Sequence, residues 1–311
     1  MRWQSASGVV VLVCLVLGGF ALAQQTQPPP NEELATIKVD VSLVNLFCSV
    51  RDKKGALIGN LTKDDFTVFE DGKTQTIKFF SRETDLPLTI GLLVDVSGSQ
   101  VNLIEQERHA ASQFFHSVLR KKDVAFLISF GSEAELLQDL TGSARLLQEG
   151  LGRLKPNAAV GGLHPGPVPT ASTQRGTVMH DAVYLAASER LQKEVGRKAI
   201  VLITDGVDVG SRLRLEQAIE AAQKADAIIY SIYYYDSGAY YRGGFGLGMS
   251  DSALRRMSEE TGGRLFRVDR KHTLQNIFDE IQQEMRTQYA IGYAPVHSEK
   301  IGEFRKIDIR A

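Results

Sequence analysis

Four short runs of almost uninterrupted apolar residues govern what this chain can become: TIGLLV at 89–94, VAFLISF at 124–130, AIVLIT at 199–204 and AIIYSIYYY at 227–235. Strands with one wet face alternate in polarity, whereas runs without alternation are apolar on both faces and need cover on both sides. Between and after them lie segments of helical spacing, at 101–120, 144–154, 178–194, 212–225, 251–261 and 273–286. Buried strands separated by helices predict an α/β fold, a doubly wound and mostly parallel sheet flanked by helices.

The flanks read differently. From 37 to about 80, alternating runs are punctuated by turn residues: IKVDVSLVNLFCSV, then Asp52-Lys53-Lys54-Gly55, FTVFE, Asp71-Gly72 and TQTIKFF. This pattern predicts about four antiparallel strands, with a hairpin in FEDGKTQTI. The tail, QYAIGYAP and FRKIDIRA, returns to strand character and is too short to stand alone. Its economical place is beside the N-terminal strands, which makes the α/β domain an insertion within one small all-β unit.

The first residues are Met1-Arg2-Trp3, followed by an apolar run from Gly8 to Leu22 and the small-x-small triplet Ala21-Leu22-Ala23. That is the pattern of a cleaved signal peptide; an uncleaved anchor needs roughly 20 apolar residues. Cys14 lies in the middle of the run rather than at its end, which makes a lipid anchor the lesser alternative. The expected plan is a signal peptide at 1–23, a proline-rich linker at 24–36, an N-terminal β unit at 37–85, the α/β domain at 86–286 and C-terminal strands at 287–311. The expected location is outside the cytoplasm: periplasmic, on the cell surface or secreted.

Composition narrows the partners. Lys and Arg number 36 against 37 Asp and Glu, for a net charge of −1, and the basic residues are scattered, which argues against nucleic acid. Once the leader is removed, Cys48 has no partner for an intrachain disulfide and reads as a core thiol. The six histidines form neither HExxH nor a Cys/His cluster, so the sequence offers no zinc site. No small-molecule cofactor is evident, and GFGLG at 244–248 lacks the spacing of a nucleotide cradle.

Three segments carry chemistry. In Leu92-Leu93-Val94-Asp95-Val96-Ser97-Gly98-Ser99, a buried strand ends in a carboxylate followed by two alternate hydroxyls. Gly176-Thr177 leads a hydroxyl out of a long loop, and Ile203-Thr204-Asp205-Gly206 ends a second strand in a carboxylate. Carboxyl ends of strands are where open α/β sheets bind ligands. Asp95, Ser97, Ser99, Thr177 and Asp205 are all oxygen donors, suited to a hard divalent cation, Mg²⁺ before Mn²⁺ or Ca²⁺.

Taken in order, DxSxS, the Thr of a later loop and the Asp after a later strand resemble a von Willebrand factor type A domain with a metal-ion-dependent adhesion site. The likeness covers 86–286, and the flanking DFTVFEDG and QYAIGY resemble exported bacterial proteins that carry this domain. The resemblance implies that the Ser pair contacts the cation directly, and that the Asp residues and Thr177 do so directly or through water. It also implies a binding or adhesion module in which the cation captures an acidic group of a protein partner. The loops at 155–176 and 236–250 would then read the partner's surface. Asp181 reads as a helix-start carboxylate, His180 as a helix residue, Asp208 as a solvated turn and Thr204 as a strand-end hydroxyl.

Two other readings use the same residues. A metal-dependent hydrolase would activate water at the cation, but the chain has no GxSxG elbow, no P-loop and no two-metal carboxylate pattern. A structural protein would use the cation only to staple loops. The expectation is therefore a protein that is not an enzyme.

Overall fold

The computed structural model describes residues 43–82, 86–156, 176–236, 251–295 and 305–311. The N-terminal segment supplies β1 (Val44–Cys48), β2 (Thr67–Glu70), β3 (Lys73–Gln75) and β4 (Ile77–Arg82). The β2–β3 hairpin turns through Asp71 and Gly72 at φ 49° and 79°. Positive φ at both central residues gives the turn whose twist matches that of the strands, which is why Asp-Gly suits it. The run TQTIKFF does not stay one strand: it breaks at Thr76, so that β3 pairs with β2 while β4 joins another sheet.

The chain then enters the α/β part. In order come β5 (Leu88–Asp95), α1 (Ile104–Val118), β6 (Val124–Phe130), β7 (Ala134–Thr141), α2 (Ala144–Leu151), α3 (Met179–Leu185), β8 (Arg197–Thr204), α4 (Leu215–Lys224), β9 (Ala227–Tyr233), α5 (Ser252–Glu260), β10 (Leu265–Arg267) and α6 (Leu274–Arg286). The six strands lie in the order β10-β9-β8-β5-β6-β7, parallel except for β7. All eight residues of β5 are buried, as a strand covered on both faces requires. One face packs under α1, α2 and α6 through residues such as Phe114, Leu147 and Phe278. The other packs under α3, α4 and α5 through Met179, Ala222 and Met257.

The doubly wound sheet agrees with the sequence reading, and two strands add to it. β7 is a half-buried edge strand of mixed polarity, AELLQDLT, and β10 has only three residues, so neither shows a continuous apolar run. The expected helix at 178–194 is α3 continued by a π-helical segment at Ala186–Arg190 and a 3₁₀ turn at Leu191–Lys193.

The last strands return to the first. β11 (Tyr289–Tyr293) lies between β1 and β4, antiparallel to both, and β12 (Ile307–Arg310) pairs with β2. The two three-stranded sheets share one core, in which Val68 of β2, Ile77 of β4 and Tyr289, Ile291 and Tyr293 of β11 are buried. Half-buried Cys48 packs against that core, and burial pushes its thiol up to about 11. Such a thiol is a small hydrophobe rather than a nucleophile.

A buried polar cluster ties α6 to this β unit. Glu284, in the last turn of α6, accepts hydrogen bonds from Ser49 Oγ (2.9 Å) and Arg51 Nη2 (2.5 Å). Arg264 Nη1 lies 3.4 Å away and the Tyr230 hydroxyl 3.5 Å. Among the described residues no helix is long and apolar enough to cross a membrane. The expected signal peptide and linker fall outside the described residues.

Candidate metal centre

The strand order changes direction at β5: the chain runs outward through β6 and β7, then comes back to β8 on the other side of β5. At such a switch point the loops leaving adjacent strands diverge and open a crevice at their carboxyl ends. Asp95 ends β5 and Asp205 follows β8 directly. Parallel pairing, with Val94 opposite Ile203, brings the two carboxylates to the same edge.

Hydrogen bonds join the loops into one oxygen-rich network. Thr204 Oγ1 donates to Asp95 Oδ2 at 2.5 Å, and the Ser97 amide donates to Asp95 Oδ1 at 2.9 Å. Ser97 Oγ and Ser99 Oγ are 3.1 Å apart, and Ser99 Oγ donates to Asp205 Oδ2 at 2.5 Å. The Val207 amide closes the chain on Asp205 Oδ1 at 3.1 Å. Asp95, Ser97 and Asp205 are all buried.

Thr177 reaches this edge differently. Its N–H donates to the Val209 carbonyl (3.2 Å) and its carbonyl accepts from the Val209 N–H (3.1 Å), four residues beyond Asp205. Gly176 permits the contact, since a Cβ there would lie 2.3 Å from the Val209 carbonyl oxygen. Among the described residues the Thr177 hydroxyl makes no hydrogen bond to the other four side chains. The fold thus joins Asp95, Ser97, Ser99 and Asp205 directly and sets Thr177 alongside by its backbone. Of the two expected recognition loops, 157–175 and 237–250 lie outside the described residues.

Burial, and then repulsion from Asp205, push the Asp95 carboxyl up to about 7 against the hydrogen bonds of Ser97 and Thr204. Two carboxylates held this close are mutually unfavourable, and a cation between them would relieve the strain. The donor set is all oxygen, which fits a hard divalent ion and leaves coordination positions to water or an incoming ligand. Among the described residues no three His, Cys, Asp or Glu side chains group as a metal cluster; the candidate centre depends on its hydroxyls.

Neighbouring residues show what the sequence reading missed. Thr204 is a buried partner of Asp95, a role that depends on β5 and β8 being adjacent. Asp208 is not a solvated turn: it accepts from Ser211 Oγ (2.6 Å) and the His180 amide (3.2 Å). Asp181 is more than a first-turn charge, for it accepts from the amides of Arg212 (3.0 Å) and Leu213 (2.9 Å). These bonds hold the start of α3 to the loop before α4. Tyr233 is buried and Tyr235 is exposed.

The sequence model of the von Willebrand factor type A domain matches residues 90–207, from β5 to just past the second carboxylate. This chain carries a von Willebrand factor type A domain. The family generally mediates protein–protein interaction. A Borreliella burgdorferi protein described only as uncharacterized is 25% identical over 140 residues, 42% of this chain and 41% of that protein. Among solved structures, proximal thread matrix protein 1 from the mussel byssus superposes with a TM-score of 0.51 at 13% identity, over 70% of this chain and 51% of that one. A second structure of the mussel protein, also at a TM-score of 0.51 and 13% identity over 70% and 50% of the two chains, has zinc in its metal-ion-dependent adhesion motif. This chain therefore spans about half or less of each of these two proteins, and the structural likeness is one of fold.

Proposed function

We propose that this chain is an exported binding module that captures an acidic group of a protein partner through a divalent cation held by Asp95, Ser97, Ser99, Thr177 and Asp205. The observation that carries the reading is the hydrogen-bonded convergence of Asp95, Ser97, Ser99 and Asp205 at the switch point of the sheet. Two carboxylates offset the charge of the ion, while the hydroxyls are neutral donors that leave its outer face able to accept a further anionic oxygen. Mg²⁺ is the first choice, for its preference for oxygen and for retained waters. We favour binding over hydrolysis because hydroxyls and amides already engage the two carboxylates, which makes them poor general bases.

Thermal melts of the purified protein in EDTA and with Mg²⁺, Mn²⁺ or Ca²⁺ test the site. Wild type should melt higher with cation, and Asp95→Ala should fold but lose both that shift and cation-dependent capture of a partner. Capture by a folded Asp95→Ala protein equal to that of wild type would sink the assignment.

A further inference from the structure

Glu107, one turn into α1, is fully buried, and among the described residues neither of its carboxyl oxygens has a hydrogen-bond partner. Gln100, in the loop before α1, is equally buried; its Nε2 donates to the Tyr234 carbonyl at 3.0 Å while its Oε1 has no partner among the described residues. Protein interiors seldom leave such atoms unpaired, because desolvation then goes uncompensated. The sign of the deficit is informative: all three atoms are acceptors, and what they lack is a donor or a positive charge.

Their place in the fold can be traced bond by bond. The Glu107 amide donates to the Leu103 carbonyl (3.0 Å) and the Leu103 amide to the Gln100 carbonyl (2.8 Å). The Gln100 side chain reaches Tyr234, whose amide donates to the Thr204 carbonyl (2.9 Å), and Thr204 in turn holds Asp95. Burial first, then the charges of Asp95 and Asp205, push the Glu107 carboxyl well above the ordinary carboxylate range. Among the described residues no Lys, Arg or His forms an ion pair with it.

We propose that Glu107 is a further residue of the cation site, a third carboxylate set on the protein side of Asp95 and Asp205, whose charge is offset by the ion that those two hold. This rests on the cation reading above. Glu107 is a positioning and charge-balancing group rather than a direct ligand: it strengthens retention of the ion from behind and leaves the outer face to the partner. A carboxyl kept only for packing would leave ion affinity indifferent to its charge.

Titration calorimetry with Mn²⁺ on the purified protein separates these cases. Glu107→Gln, close in size and uncharged, should weaken Mn²⁺ binding roughly 10- to 100-fold, the range seen when groups behind metal ligands are changed. Its melting temperature in EDTA should equal or exceed that of wild type, a combination that damaged packing does not produce. Glu107→Asp keeps the charge and should recover part of the affinity. Wild-type affinity in Glu107→Gln, with Asp95→Ala unable to bind Mn²⁺, overturns the role of Glu107 and leaves the cation site standing. No Mn²⁺ binding by wild type overturns both readings. Should Glu107→Gln not fold, Glu107→Asp carries the test, and a folded Glu107→Asp protein that no longer binds Mn²⁺ overturns the proposal.

Discussion

Two buried glutamates of this molecule have opposite surroundings. Glu284, at the seam between α6 and the β unit, has Ser49 and Arg51 within hydrogen-bonding distance and Arg264 and Tyr230 close by. Glu107, whose carboxyl feels the charges of Asp95 and Asp205, has among the described residues no partner for either oxygen. Both carboxyls are desolvated, so the difference lies in what compensates them. At the seam the protein supplies its own positive charge, and the result is a structural tie between two sheets and a helix. At the carboxyl edge of the sheet, Asp95 and Asp205 converge with Glu107 within reach of their charge, and among the described residues no Lys, Arg or His pairs with Glu107, an arrangement suited to an ion from solution.

The strongest way to break this contrast is at the ligands. Asp95→Ala should abolish cation-dependent capture and the cation-dependent melting shift with the fold retained, which circular dichroism and thermal melts would read. Glu284→Ala should do the reverse. It leaves half-exposed Arg264, partly buried Arg51 and Ser49 without their acceptor, and urea denaturation should show a loss of about 2–3 kcal/mol with unchanged Mn²⁺ affinity. If Glu284→Ala instead altered affinity as Glu107→Gln does, the two regions would not be separable.

A pH series sharpens the comparison further. The Asp95 carboxyl lies near 7 in the fold against 3.8 when unperturbed. Between those values the native protein keeps a proton that the unfolded chain has released, so this group's contribution to stability is present at the acid end. It is lost as pH rises toward 7. In EDTA, denaturation midpoints should therefore fall between about pH 5 and 7.5, Asp95→Asn should flatten that slope, and saturating Mg²⁺ should oppose it by favouring the carboxylate. The smallest expected effect is that of Asp181→Ala, which loses two amide contacts to the loop before α4. It should cost about 1–2 kcal/mol, measured by urea denaturation, without removing cation binding.

Much of the site was legible because it sits where strands end. Asp95 and Asp205 close apolar runs, and a run that ends in a carboxylate announces both the strand and the edge it meets. The hydroxyls of Ser97 and Ser99 follow the first of these ends, whereas Thr177 comes to the edge through its backbone pairing with Val209. Thr204 was less accessible: its bond to Asp95 exists because β5 and β8 are neighbours, and pairing across more than 100 residues leaves no local trace. The contacts of Asp208, and those that Asp181 makes beyond its place in the first turn of α3, are hidden for a related reason, since turn residues are polar whether they face water or another loop.

The sequence by itself determined the doubly wound sheet, the β unit completed by the chain's last strands, the hairpin at Asp71-Gly72 and the oxygen character of the candidate site. These follow from periodicity and turn chemistry, which are local and survive in a one-dimensional reading. Only the tertiary structure decided that β7 and β10 extend the sheet, that Glu284 finds its partners and that Glu107 does not. The physical reason is that compensation of a buried charge depends on groups brought from distant parts of the chain, and a glutamate in a helical pattern looks the same before they arrive.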